Sequence, residues 1–136
     1  MLRARRLLLC LLLALAGGLP IDALAAQVLL LLSEESSAFS EAAEAIGAEL
    51  RSAGHRTQSL SLPLRADETA ALAGNALIIT LGTRAAQTVS SLAPRSLVLH
   101  TLLPRSAFEK LTARSDDFRR VSAVFIDQPA GRQIEL

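Results

Sequence analysis

The stretch Ala76-Leu77-Ile78-Ile79-Thr80-Leu81-Gly82-Thr83-Arg84-Ala85-Ala86 decides the fold of this 136-residue chain. Its aliphatic part, residues 76–81, predicts a strand buried on both faces, as strands of parallel sheets are. The pair Gly82-Thr83 predicts a turn into a helix that runs from Arg84 to about Leu92 and ends before Pro94. A buried strand that turns at once into a helix is the repeating unit of α/β folds.

The same alternation extends outward in both directions. Further strands are predicted at residues 27–32, 56–62, 96–102 and 121–126, and further helices at residues 36–53, 67–73 and from about 106 onward. Alternating elements with short connections imply right-handed crossovers and a parallel sheet covered by helices on both faces. The strand at residues 56–62 alternates polar with apolar side chains, which is typical of an edge strand. We therefore expect an α/β fold of three layers, with a five-stranded parallel sheet in the flavodoxin-like order 2-1-3-4-5.

Local signals mark the ends of several predicted helices. Gly54 is expected to end the helix at residues 36–53. Asp67 is a candidate N-cap for the short helix that follows it. Ser106 and Glu109 have the spacing of a capping box, which predicts the start of a helix there.

The N-terminus carries the three parts of a secretory signal peptide. Three arginines stand within the first six residues, an apolar segment follows at residues 7–19, and Ala23-Leu24-Ala25 is a small-x-small cleavage site. The apolar segment is shorter than the roughly 20 residues that span a bilayer as a helix. We expect residues 1–26 to be removed by cleavage after Ala25 or Ala26, and the mature protein to be periplasmic or secreted. An uncleaved membrane anchor is the alternative.

Removal of the signal peptide changes the charge of the chain. Of the 14 basic and 13 acidic residues, three and one lie within residues 1–26, which leaves 11 basic and 12 acidic residues in the mature part. The formal net charge of +1 therefore reflects the targeting segment, and nothing indicates a basic face for nucleic acid. The single cysteine, Cys10, leaves with the signal peptide, so the mature domain depends on a packed core and not on a disulfide.

Polar residues follow the predicted strands, at the carboxyl ends that parallel order brings to one rim of the sheet. Helix N-termini at this rim present N–H groups that suit a carboxylate or a phosphate, and Gly82 allows a ligand to approach the backbone. The alternative roles are capping for the Ser and Thr residues, a solvated position for Arg84 and a buried position for His100. The candidate ligand-binding residues are Ser33, Glu34, Ser36, Ser37, Gly82, Thr83, Arg84, His100, Thr101, Asp127 and Gln128.

An enzymatic interpretation depends on Ser33, His100 and Asp127, which all fall at strand carboxyl ends. The sequence has no G-x-S-x-G elbow to present the serine, so a small exported hydrolase is the less favoured alternative. Neither G-x-x-x-x-G-K-[ST] nor G-x-G-x-x-G occurs to hold a phosphate. The two histidines lack a metal-ligand spacing, and the mature part has no Tyr or Trp to stack a sugar or nucleoside. We therefore expect binding without catalysis, with no metal and no cofactor.

Together with the signal peptide, three segments resemble the solute-binding proteins of ABC transporters, in particular an uncharacterised branch that includes tryptophan-type binding proteins. The segments are Val28-Leu29-Leu30-Leu31-Leu32-Ser33, the stretch at residues 76–86, and Ala123-Val124-Phe125-Ile126-Asp127-Gln128-Pro129-Ala130-Gly131-Arg132-Gln133. The resemblance implies a type I periplasmic-binding fold. In that fold two α/β lobes joined by a hinge close on a small solute, for delivery to an ABC permease in the inner membrane. It also implies ligand contacts from the rim loops, here residues 33–37, Gly82-Thr83 and the region of His100-Thr101.

The size of the chain departs from that family, whose members have a second lobe. Pro129 is a helix-start signal and the sequence stops at Leu136, so we expect residues 27–136 to be an N-terminal lobe truncated in the helix after the fifth strand. A second lobe from another chain, or a dimer, would then complete the cleft for a small, carboxylate-bearing solute. A stand-alone exported interaction or sensory domain of flavodoxin-like fold is the alternative from another class.

Overall fold

The computed structural model describes residues 25–92, 94–113 and 119–126. Its strands are β1 (Gln27–Leu32), β2 (Arg56–Ser61), β3 (Leu77–Leu81), β4 (Leu97–Leu103) and β5 (Val121–Phe125). They form one all-parallel sheet in the order β2-β1-β3-β4-β5. This confirms the expected fold class and strand order, including the edge position of the polar strand β2. Residues 1–24 of the predicted signal peptide, Asp127, Gln128 and the predicted final helix lie outside the described residues.

Helices cover both faces of the sheet in the part of the chain that the structure describes. They are α1 (Ser37–Ser52), α2 (Ala66–Ala71), which continues into a 3₁₀ turn (Leu72–Gly74), α3 (Thr83–Leu92) and α4 (Arg105–Thr112). Helix α1 packs on one face, called here the α1 face. The others pack on the opposite face, called here the α3 face. No helix among the described residues has the length and apolar character needed to cross a membrane.

Strand β1 is the centre of the core because both of its faces are buried. Its five aliphatic side chains alternate between two clusters, and each is at most 4% exposed. The cluster on the α3 face comprises Leu29, Leu31, Leu72, Ile78, Ala85, Val89 and Val98, and the cluster on the α1 face comprises Val28, Leu30, Leu32, Ala43, Ile79 and Leu81. Full burial of one such side chain contributes about 2 kcal/mol, so this strand anchors both layers of helices.

Gly54 ends helix α1 as expected. Its φ of +89° is the left-handed conformation that terminates many helices. The Gly54 N–H donates to the Arg51 carbonyl and the His55 N–H donates to the Leu50 carbonyl, both at 3.0 Å. These two bonds form a Schellman motif, which satisfies carbonyls that the end of the helix leaves without a partner.

The two predicted N-caps at Asp67 and Ser106 are wrong. Helix α2 begins at Ala66, after Arg65, so Asp67 lies within its first turn. The Arg65 N–H donates to the Glu68 carboxylate at 2.9 Å. Helix α4 begins at Arg105, because Pro104 holds the extended backbone that precedes a helix and its carbonyl accepts the first N–H groups.

Strand β4 is irregular where it reaches the rim. Leu102 has a φ of +55°, and the pairing with β5 shifts between Thr101 and Leu103. An extra residue of this kind is a β-bulge, which changes the direction of a strand and re-aims its side chains. The bulge leaves Leu103 fully buried and allows its carbonyl to accept the Ile126 N–H at 3.3 Å.

Candidate functional site

The strand order places β1 beside β3, and the helices that follow these two strands leave on opposite faces of the sheet. The rim between the two loops is therefore a topological switch point, the position where open α/β sheets bind their ligands. The Ser33 N–H donates to the Leu81 carbonyl at 3.0 Å, and the Gly82 N–H donates to the Thr101 carbonyl at 2.9 Å. These bonds join the ends of β1, β3 and β4 into one rim. We call the space between the loops after β1 and β3 the switch crevice.

Ser33 lies directly after β1, beside the loop after β3, and caps helix α3. Its Oγ accepts the N–H of Ala85, the third residue of α3, at 2.9 Å. Gly82, which precedes α3, has no side chain to cap the helix, so a serine from the neighbouring strand supplies the oxygen. Ser33 is only 4% exposed, which makes its hydroxyl a structural acceptor.

Gly82 is required at its position for two reasons. Its φ of +94° is strained for any residue with a side chain. A Cβ at this position would also lie 2.6 Å from Ser33 Oγ and 2.9 Å from Phe39 Cζ. The close approach of the loop after β3 to β1 and α1 therefore depends on a glycine.

The remaining candidates on these two loops face outward. Glu34, Ser37 and Arg84 are exposed, and Thr83 is half-buried as the first residue of α3. Ser36 Oγ accepts the Phe39 N–H at 3.5 Å and so caps α1. The crevice is thus bordered by the N-termini of two helices, with the cation of Arg84 at the start of one of them.

His100 and Thr101 were expected at the carboxyl end of their strand, but they are the fourth and fifth of the seven residues of β4. Both are hydrogen-bonded to Thr80 of β3. Thr101 Oγ1 donates to the Thr80 carbonyl at 2.8 Å. His100 Nδ1 is 2.7 Å from Thr80 Oγ1. The Thr80 hydroxyl is fully buried, and Nδ1 is the acceptor next to it among the described residues; when the hydroxyl donates, the proton of the histidine is on Nε2. Burial lowers the pKa of His100 to about 4, which keeps the ring neutral at physiological pH.

The His100 ring is part of an aromatic stack beneath α4. It meets Phe108 edge to face with 6.2 Å between ring centroids, and Phe108 meets Phe125 in the same way at 5.5 Å. The Arg105 guanidinium lies 4.5 Å from the centroid of Phe125. The stack fixes α4 against β4 and β5 and holds the imidazole in place.

The hydrolase alternative finds no support in the geometry of Ser33 and His100. The Ser33 oxygen accepts from a helix N–H, and the histidine Nδ1 is occupied by Thr80. Asp127 lies outside the described residues. Among those residues no group of three or more His, Cys, Asp or Glu side chains could hold a metal ion.

Sequence reasoning missed the partners of Ser33 and His100. Thr80 interrupts an aliphatic strand, and a hydroxyl at a buried strand position is a signal that a polar partner must lie opposite. The capping role of Ser33 had no local signal, because Ala85 is 52 positions away along the chain.

Comparison of the chain with known protein families, with curated proteins and with solved structures finds no match.

Proposed function

We propose that this chain is a lobe of an exported solute-binding protein of an ABC transporter, and that it binds a small carboxylate-bearing solute in the switch crevice. The observation that carries the proposal is the switch point, at which the loops after β1 and β3 lead into helices on opposite faces of a parallel sheet. The signal peptide predicted from the sequence and the resemblance of the sequence to such binding proteins agree with this function.

The crevice has the chemistry for a carboxylate. The first N–H groups of α1 and α3 border it, and a helix N-terminus carries a partial positive charge. Arg84 adds a full positive charge on an exposed side chain. A carboxylate between the two helices would accept backbone N–H groups and be held electrostatically by Arg84.

The crevice is suited to binding and release without a chemical step. The hydroxyls of Ser33 and Thr101 are buried in bonds to the backbone, and His100 is bonded to Thr80. A second lobe, or a second copy of the chain, would cover the solute from above and increase the affinity by excluding water. Delivery to a permease would follow release from the crevice.

A thermal-shift screen of the mature chain tests the proposal. The twenty amino acids and a set of small dicarboxylates serve as ligands. A ligand at roughly a hundredfold excess over its Kd raises the free energy of unfolding by about 2.7 kcal/mol and so raises Tm. We expect at least one carboxylate to do so, whereas no rise with any of them contradicts the proposal.

Two variants then locate the binding. Arg84→Ala should weaken the best ligand of the screen about tenfold, as expected for the loss of a charge-assisted contact. Arg56→Ala removes an exposed cation at the first residue of β2, at the opposite rim of the sheet, and should leave the affinity unchanged. Equal effects of both variants would place the ligand elsewhere.

An interaction domain is a second candidate because large apolar side chains are exposed on the sheet. Val124 in β5 and Ile126 just after it are 58% and 54% exposed, and Leu97 at the start of β4 is 55% exposed. Neighbouring exposed apolar side chains, such as Val124 and Ile126, mark interaction surfaces. Sedimentation of the mature chain distinguishes the candidates: a dimer that Val124→Lys converts to a monomer favours the interaction domain, and a monomer at all concentrations disfavours it.

A further inference from the structure

A groove of about 980 Å³ runs between α3 and α4, on the α3 face above β4 and β5. It lies away from the β1–β3 boundary, so it is distinct from the switch crevice, and Thr83 at the start of α3 borders both. Small-molecule sites are typically concave, with apolar walls and a few polar groups that fix the ligand. Apolar walls come from Val89, Val98, Ala107, Leu111 and Val121, and polar groups from Thr83, Gln87, His100, Ser106 and Lys110.

His100 is one of the lining residues of this groove. Its Nδ1 is hydrogen-bonded to Thr80; in the tautomer that accepts the Thr80 proton, Nε2 carries the ring proton and has no hydrogen bond within the described residues. The ring remains neutral above about pH 4 because burial lowers its pKa. A neutral N–H donor of this kind fits an oxygen acceptor on a ligand.

The charge of the groove favours an anion. The charged side chains among its described lining residues are Lys110 and Arg120, and none of those described residues is an Asp or a Glu. Arg120 Nη1 already donates to the Arg95 carbonyl at 2.9 Å. Lys110 on α4 is therefore the side chain that can oppose a ligand charge.

We infer that the groove between α3 and α4 binds a small organic monocarboxylate with an apolar body. Lys110 opposes the charge of the carboxylate, and His100 Nε2 donates to a ligand oxygen at the floor. The apolar body packs against Val98, Leu111 and their neighbours on the groove walls. This inference does not depend on the proposed function, because it concerns a different pair of helices.

Calorimetric titration of the mature chain with octanoate tests the inference. Lys110→Glu should weaken octanoate binding at least about tenfold, because it replaces an attractive charge by a repulsive one, whereas Lys110→Arg should retain the affinity. The matched control is Arg56→Glu, the same change of charge at the far edge of the sheet, and it should have no effect. Octanamide, which lacks the charge, should bind more weakly than octanoate to the wild type. Absence of octanoate binding, or equal weakening by Lys110→Glu and Arg56→Glu, overturns the inference.

An amide-resolved NMR titration with octanoate gives the location. We expect shifts at residues of the groove walls, such as Gln87, Ser90 and Lys110, and none at Ser37. His100→Gln, which retains an N–H donor in a side chain of similar reach, should preserve these shifts if the variant is folded. Shifts confined to the loops after β1 and β3 would assign octanoate to the switch crevice and overturn the groove as its site.

Discussion

Gly82 at the rim is constrained both by its backbone conformation and by the atoms packed around it. Its backbone conformation excludes side chains, and the space that a side chain would need is filled by Ser33 and Phe39. The sequence predicted a turn at Gly82 and its value for close approach. It did not predict what approaches, because Ser33 and Phe39 lie far away along the chain.

Gly82→Ala should lower the free energy of unfolding by about 3 kcal/mol, since it adds the cost of a positive φ to a steric clash. Urea unfolding measures the change. Gly54→Ala is the matched control, because Gly54 has a φ of +89° but nothing within 4 Å of an added Cβ. It should cost only about 1 kcal/mol. Equal losses in the two variants would show that the contact with Ser33 and Phe39 is unimportant.

His100 should make the stability of the domain depend on pH. Its pKa falls from 6.5 to about 4 in the folded protein because burial disfavours the charged ring. Between these two values the unfolded chain binds more protons than the native state, so stability is greatest above pH 6.5 and falls as the pH drops toward 4. The full difference corresponds to roughly 3 kcal/mol.

Urea unfolding at several pH values between 4 and 7 measures this loss. His100→Gln should flatten the pH dependence in that window, whereas His55→Gln, which retains the buried ring, should keep it. A wild-type stability that does not change between pH 7 and pH 4 would show that His100 is not held as a buried neutral group.

At the scale of elements, helix α3 depends on a cap from another strand. Ser33→Ala removes the oxygen that accepts the Ala85 N–H and leaves a buried donor without a partner. We expect a loss of about 1–2 kcal/mol in the free energy of unfolding, measured in urea. Ser37→Ala, at an exposed position at the start of α1, should change stability by less than about 0.5 kcal/mol. An unchanged free energy of unfolding in Ser33→Ala would show that α3 does not depend on this cap.

The types of the elements followed from sequence periodicity, but several helix starts did not. The aliphatic residues of β1 indicate a strand buried on both faces, and the alternating residues of β2 indicate a strand buried on one face. The sheet has β1 in its interior and β2 at its edge. Asp67 and Ser106 have suitable side chains for caps, yet both lie inside the first turn of their helices. The backbone of the preceding residue, Arg65 or Pro104, decides where each helix begins, and a side-chain pattern does not report it.

At the scale of the whole molecule, the parallel strand order allowed the residues at the rim to be predicted. The hydrogen bonds that these residues form could not be predicted, because their partners lie far away along the chain. Parallel order alone brings Ser33, Gly82 and Thr101 to one end of the sheet, as the structure shows. The use of Ser33 and Thr101 as structural hydrogen-bonding groups depends on partners in other strands and helices. The groups that remain available to bind a ligand are therefore the helix N-termini and Arg84. The hydroxyls of Ser33 and Thr101, which the sequence suggested, are already bonded to the backbone.

Binding of a carboxylate-bearing solute at the switch crevice is tested most directly by an amide-resolved NMR titration with the best ligand of the thermal-shift screen. We expect chemical shifts to change at the starts of α1 and α3, around Ser37 and Thr83, and not at Arg56 on the opposite rim. We also expect Arg84→Ala to weaken these changes. Shifts that leave both helix starts unaffected while the ligand still stabilises the protein would show that the solute binds elsewhere.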